Sequence, residues 1–221
     1  MARRRPKQFR GTRARGLLIV LEGIDGAGTT TQGRRLVRRL RRRGWRAHFT
    51  CEPSRGPVGR YIRACLAQTP GPSSELLALL FAADRIDHYE SEIAPLLEAG
   101  AVVVSDRYLL SSLAYQGVEG DARWVAQLND RAPRADLTIL VDVPAAVAAR
   151  RRSGRGGHPD RYERGAFLDG VARRYRELAR RRTAGAVAVV SGVGDQRAIA
   201  TAIDRVIAPR LRGAPRRTAG G

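Results

Sequence analysis

Residues 17–31 run Leu17-Leu18-Ile19-Val20-Leu21-Glu22-Gly23-Ile24-Asp25-Gly26-Ala27-Gly28-Thr29-Thr30-Thr31. Five apolar residues in a row, with no polar alternation, make a strand buried on both faces, as at the centre of a parallel sheet. The glycine-rich turn after it lets backbone N–H groups face inward. A helix starting near Thr30 adds the partial positive charge of its N-terminus. Strand, Gly-x-x-x-x-Gly, Ser/Thr and helix together are the layout of a phosphate-binding loop. Gly23, Asp25, Gly26, Ala27, Gly28, Thr29, Thr30 and Thr31 are therefore expected around bound phosphates, with the Thr30 hydroxyl on Mg²⁺. One residue departs from the pattern: the lysine that ordinarily follows the last glycine is absent, and Thr29 stands in its place.

Outward from this stretch, apolar runs at 47–51, 101–105, 137–143 and 186–190 read as four more strands. Helical spacing covers 30–43, 74–98, 108–116, 121–131, 144–152, 164–182 and 195–208. Gly44 stands where a helix C-cap belongs, and Pro95 is expected to kink or split the helix it interrupts. Strands alternating with helices predict an α/β fold with a five-stranded parallel sheet flanked by helices. Ligands of such sheets bind outside the carboxyl ends of the strands, so the polar residues just after each strand are the candidates for chemistry.

The second strand ends in Cys51-Glu52-Pro53-Ser54-Arg55 and the third in Ser105-Asp106-Arg107-Tyr108. An aspartate ending a buried strand beside a phosphate loop holds Mg²⁺ directly or through water, which assigns Asp106 to the metal with Thr30. Arg55 and Arg107 are expected to face the same cleft, where a guanidinium clamps phosphate with two parallel hydrogen bonds. Asp142 also ends a strand, but Pro144 follows, and it reads as a helix cap. Residues 150–161 pack arginine, glycine and proline between two helices, the composition of a mobile basic lid that delivers arginine to a transferring phosphoryl group.

The composition narrows the function classes. The chain has 221 residues, 43% of them hydrophobic, enough for a sizeable core. No window is long and apolar enough for a membrane span. Basic residues number 41 against 21 acidic, giving a formal charge of +20, and all the basic residues but Lys7 are arginine. Seven of them fall in residues 1–16 and three in 212–221, with no acid in either tail. Such charge favours anionic partners, among them phosphorylated small molecules. Aromatic residues make up only 5% and are not interleaved with a basic stripe, so nucleic acid is not the expected partner. Two cysteines and three scattered histidines give neither a disulfide framework nor a zinc cluster. The basic N-terminus lacks the apolar core of a secretory signal, and a cytoplasmic location is expected.

Six motifs, in order, resemble those of the thymidylate kinase family of P-loop nucleoside-monophosphate kinases: LEGIDGAG-TTTQ, EPSRG, LLFAADR, VVVSDRYLLSSLAYQG, LVDVP and DRYERGAF. The resemblance runs from about Leu17 to Arg210 and makes 17–210 one domain between two basic tails. It implies transfer of the ATP γ-phosphoryl group to dTMP, with Mg²⁺, in a homodimer. It also implies roles. Asp25 receives the deoxyribose 3′-hydroxyl, Phe81 stacks on thymine and Arg85 bonds the base edge. Arg55 and Arg107 hold the acceptor phosphate. Ser111, Tyr115 and Gln116 line base and sugar, and Tyr162 closes over the nucleoside. Because Gly26 occupies the position where some members carry a catalytic arginine, the lid is expected to supply it, Arg155 first, then Arg151 and Arg152. The catalytic set is then Arg107, Arg155 and Asp106. Thr29 supplies no charge, so a kinase for another deoxynucleotide or nucleoside, and a silent nucleotide-binding protein, stand as alternatives.

Overall fold

The computed structural model describes residues 15–68, 70–153 and 165–212. Five parallel strands form one sheet in the order β2-β3-β1-β4-β5: β1 Leu17–Glu22, β2 Ala47–Cys51, β3 Val102–Asp106, β4 Leu137–Asp142 and β5 Val187–Ser191. Leu21 pairs with Asp106, Cys51 with Asp106, Glu22 with Leu140 and Asp142 with Ser191. This register brings the polar strand ends to one edge. The chain leaves β1 toward β2 and β3 on one side, then crosses to β4 and β5 on the other. The crevice at the carboxyl end of β1 is therefore the position where parallel sheets receive ligands.

Two apolar layers cover the sheet. On one face α1 (Thr29–Arg42) and α9 (Gln196–Leu211) press Leu36, Val37, Leu40, Ile199, Ile203 and Ile207 onto Ile19, Leu21, Val102 and Ile139. On the other lie α2 (Pro57–Leu66), α3 (Ser74–His88), α4 (Ala94–Glu98), α5 (Leu109–Glu119), α6 (Ala122–Leu128), α7 (Ala145–Ser153) and α8 (Gly165–Arg180). Their side chains pack around Leu18, Val20, Val103, Leu140 and Val141. Among the described residues no helix is long and apolar enough to cross a membrane.

Two features differ from the sequence reading, and one expected break takes a particular form. Helix α2 was not anticipated. Pro57 opens it after Gly56, an arrangement suited to a helix start because the missing proline N–H needs no partner there. The helical stretch over 74–98, expected to kink or split at Pro95, is divided into α3, a π-helical turn at Tyr89–Ile93 and α4. The wide turn directly precedes Pro95, whose ring excludes an ordinary carbonyl contact four residues back. Asp142 is not chiefly a cap: its carboxylate receives Arg176 Nε at 3.0 and 2.9 Å, fastening α8 to the end of β4.

Ile19 lies on the central strand with no exposed surface. Ile19→Ala should lower stability by about 2–5 kcal/mol, read as a lower urea midpoint at unchanged slope.

Candidate active site

The turn between β1 and α1 is shaped by contact with α7. Gly26 has φ +91°, and a Cβ placed there would lie 2.4 Å from the main-chain oxygen of Ala148. Only glycine fits this position, by conformation and by space. Gly28, at φ 94°, is the N-cap of α1 and offers no side-chain cap, leaving the first N–H groups of the helix to a ligand. Thr29 is buried at the first turn. The Thr30 hydroxyl donates to Asp106 Oδ2 in a short hydrogen bond. The other oxygen of Asp106, Oδ1, is buried without a hydrogen-bond partner among the described residues. A carboxylate oxygen left open beside a hydroxyl is a pair of hard oxygen donors of the kind Mg²⁺ takes, and that ion needs only one or two protein ligands beside substrate phosphates. Thr30 and Asp106 therefore fit the ion.

Beside the loop a cavity is lined by Asp25, Glu52, Pro53, Leu66, Phe81, Arg85, Arg107, Ser111, Ser112, Tyr115 and Gln116. Arg107 enters it from a left-handed backbone, φ 71°. That conformation is uncommon for a side chain of this size, and two bonds hold it. Arg107 N–H donates to Leu21 O at 2.8 Å, and Ser105 Oγ donates to Arg107 O at 2.8 Å. The guanidinium then reaches Asp25 Oδ1 at 2.7 Å, Ser111 Oγ at 3.1 Å and the Tyr115 hydroxyl at 3.2 Å. Burial opposes its charge, but Asp25 and the surrounding tyrosines outweigh that and hold it firmly protonated. Tyr115 donates to Asp25 Oδ2 at 3.1 Å and accepts the Asp25 N–H at 3.1 Å. Asp25 and Arg107, assigned to different ends of a substrate, are thus bonded to each other.

Under this group lies Glu22, the last residue of β1, with no exposed surface. Its Oε1 accepts the N–H groups of Tyr108 (2.9 Å) and Ser111 (3.2 Å), capping the start of α5. Its Oε2 accepts the Ser111 hydroxyl (2.6 Å) and the Tyr175 hydroxyl (3.1 Å). Burial pushes its pKa up, against the pull of the Ser111 hydroxyl and Arg107. Sequence reading named neither Glu22 nor Tyr175. The signal for Glu22 was available: an acid closing a wholly apolar strand, the same mark that singled out Asp106. Nothing local marks Tyr175.

The far wall belongs to a second buried cluster. Arg85, 1% exposed, donates through Nη2 to Glu52 Oε2 (2.7 Å), Tyr108 O (3.0 Å) and Ser112 Oγ (3.0 Å). Its Nη1 makes a short bond to Asn129, while Nε has no partner among the described residues. Phe81, one turn before it on α3, lies on the same cavity wall. His88 sits behind them. Its Nε2 is 2.7 Å from Thr50 Oγ1 and 3.5 Å from Glu92 Oε2, and its Nδ1 is 3.4 Å from Glu52 Oε1. Burial opposes a charge on His88, yet the hydrogen bonds it donates to Glu52 and Glu92 win, and its pKa is pushed up to about 9. Chiefly through His88, Glu92 is held down at about 2.

The structure thus brings Asp25, Phe81, Arg85, Arg107, Ser111, Tyr115 and Gln116 to one cavity next to the loop. Arg55 it does not: that side chain is exposed before α2 and does not line the cavity, because Ser54, bonded to Asp84 at 2.6 and 2.7 Å, turns the chain away. Arg155 and Tyr162 lie outside the described residues, as does the expected lid beyond Ser153; Arg150–Ser153 form the last turn of α7.

The thymidylate kinase family profile matches residues 21–192. A protein of Aeropyrum pernix bearing the thymidylate kinase name is 40% identical over 192 residues, 86% of this chain and 91% of its own length. Similarly named proteins of Pyrococcus abyssi and Pyrobaculum aerophilum are 46% identical over 148 residues (64% and 72% of the two chains) and 41% over 161 residues (72% and 79%).

The charged His88 gives a pH signature. Its folded pKa of about 9 lies above the unfolded value of 6.5, so the stabilisation is complete below about pH 6 and is lost as pH rises through 9. Chemical denaturation of wild type and His88→Gln should differ by an extra contribution of about 3 kcal/mol at pH 6 that fades by pH 10. A gap independent of pH would mean that His88 is buried neutral.

Proposed function

The chain belongs to the thymidylate kinase family, and from that premise we propose that it transfers the γ-phosphoryl group of ATP to dTMP, giving dTDP and ADP. The observation that carries this is the single cavity that opens beside the phosphate loop and collects an aromatic ring, Phe81, with Arg85, Arg107, Tyr115 and Asp25.

Loop N–H groups from Gly23 to Thr31 cradle the donor phosphates. A second cavity, lined by Gly28, Gln32, Arg151, Asp195 and Ile199, takes the donor base and ribose. Phe81 stacks on thymine, Arg85 bonds the base edge, and Ser111, Tyr115 and Gln116 border the nucleoside. Tyr162 closes over it. Asp25 receives the 3′-hydroxyl, and Arg107 holds the acceptor phosphate. An oxygen of that phosphate forms a bond to the γ-phosphorus as the bond from phosphorus to the β–γ bridging oxygen breaks, and ADP leaves with that electron pair. No covalent enzyme intermediate is needed; positioning and charge neutralisation supply the acceleration. Thr30 and Asp106 would hold Mg²⁺, which would supply charge neutralisation at the phosphates. Arg155 of the lid is assigned to the transferring group.

A homodimer belongs to the same proposal. Leu76, Leu79 and Ile86 are exposed along α3 and Tyr61 on neighbouring α2, apolar surface that a second copy would cover. Two free thiols, Cys51 and Cys65, suit the cytoplasm.

ADP release with ATP, Mg²⁺ and dTMP, compared with dUMP, dCMP and thymidine, tests the reading: dTMP should be the best acceptor. Phe81→Ala should raise the KM for dTMP by about tenfold or more, the worth of a stacked base, and leave the KM for ATP nearly unchanged. Arg107→Ala should cut turnover by roughly 10²–10³-fold. Equal loss of both nucleotides in Phe81→Ala, or near-normal turnover in Arg107→Ala, would remove that residue from the site. Preference for another acceptor would overturn the substrate.

A further inference from the structure

The loop lacks a cation of its own at residue 29, where the ordinary signature carries lysine. Thr29 is 6% exposed, and a hydroxyl supplies no charge to the β- and γ-phosphates. Nor can the loop carry arginine one turn earlier, because the main chain of α7 fills the space a side chain on Gly26 would need. The same contact brings α7's own arginines to the loop. Arg152 Nη1 donates to the main-chain oxygen of Asp25 at 2.6 Å. Arg151 donates through Nη1 to Ala27 O at 3.4 Å and through Nη2 to Gly192 O at 2.9 Å, spanning from the loop to the residue that follows β5.

Resting on the kinase reading above, we propose that Arg152, supported by Arg151, is the loop's missing cation: a guanidinium delivered from α7 takes the part of the absent lysine at the donor phosphates. The two arginines divide the work by position. Arg151 lines the donor cavity and ties it to the loop. Arg152 is bonded to Asp25, whose carboxylate holds Arg107 at 2.7 Å on the acceptor side. Asp25 therefore has one guanidinium on its main chain and another on its side chain. With one N–H on Asp25 O, the planar fork of Arg152 keeps further donors for phosphate oxygens, and it remains charged at any working pH. No covalent step is added; the charge acts on negative charge that grows between the β- and γ-phosphates during transfer.

The experiment is a rescue cycle in the full-length protein. Arg152→Ala should lower kcat by about 10²-fold or more while weakening MgATP less than tenfold, because the contact matters most in the transition state. Arg152→Lys, which keeps the charge, should lose less. In a Thr29→Lys background, which returns the cation to the loop, adding Arg152→Ala should lower kcat less than tenfold. An arginine that merely fastened the loop would not be relieved by Thr29→Lys. An equal loss in both backgrounds, or unchanged kcat in Arg152→Ala, overturns the proposal. Calorimetric titration provides a reading independent of turnover. Arg152→Ala should weaken MgATP several-fold, leave AMP unaltered and recover with Thr29→Lys; no change for MgATP, or equal weakening of AMP, overturns it. Should the wild type phosphorylate no acceptor, the kinase reading has failed, and the titration alone decides whether Arg152 serves bound phosphates.

Discussion

A carboxylate with no exposed surface has to be surrounded by donors or protonated, because leaving it bare in a protein interior costs several kcal/mol. Glu22 meets that demand with two N–H groups from the start of α5, the Ser111 hydroxyl and the Tyr175 hydroxyl of α8. Those four bonds fix where α5 and α8 stand relative to the end of β1. Tyr115 and Gln116 come from that α5, and Ser111 in turn steadies Arg107. The strand that launches the phosphate loop thus also anchors the opposite wall of the cleft. Donor and acceptor sides are referred to one rigid element, and transfer between two bound nucleotides depends on such shared positioning.

The wall formed by Arg85 is built on the same logic, one strand farther out. Glu52 follows β2, Arg85 and His88 lie one turn apart on α3, and Glu92 sits within the π-helical turn. Alternating charges, Arg85 to Glu52 to His88 to Glu92 and on to His48 at 2.8 Å, lead from the cavity to the surface. A buried ion pair of this kind contributes little net stability, but losing one member leaves the others stranded. The base-side wall is therefore stiff, and its shape is tied to the charge state of His88.

Much of the fold was legible because strands buried on both faces write themselves as unbroken apolar runs. All five strands stand within a residue or so of their expected places, and the phosphate loop follows from glycines at the end of the first. Helix α2 was passed over although it was legible: Val58, Tyr61, Ile62, Cys65 and Leu66 stand at helical spacing behind Pro57, and tertiary contacts, among them Arg63 to the oxygens of Pro53 and Ser54, add to its hold. In the site, Asp25, Phe81, Arg85, Arg107, Ser111, Tyr115 and Gln116, singled out from the sequence, do meet at one cavity, while Glu22 and Tyr175 were passed over. The pairings were out of reach. Arg152 meets Asp25 across 127 residues of sequence and Arg176 meets Asp142 across 34, and no local pattern carries such information. Arg55 shows the opposite error. It was a strand-end cation of the right type, but the Ser54–Asp84 bonds direct the chain elsewhere.

The contact of Gly26 with Ala148 has a consequence for how sequences of this kind can change. A side chain at position 26 and the present seat of α7 exclude each other sterically, so no intermediate carries both an arginine in the loop and arginines resting on it from α7. A lineage passing from one arrangement to the other must first shift the helix, losing Arg152 from the loop, or first regain lysine at position 29. The second order keeps a positive charge beside the phosphates at every step. Residue 29 is thus the gate through which the remaining changes would have to pass, and a single codon there sets the order of substitution for both elements.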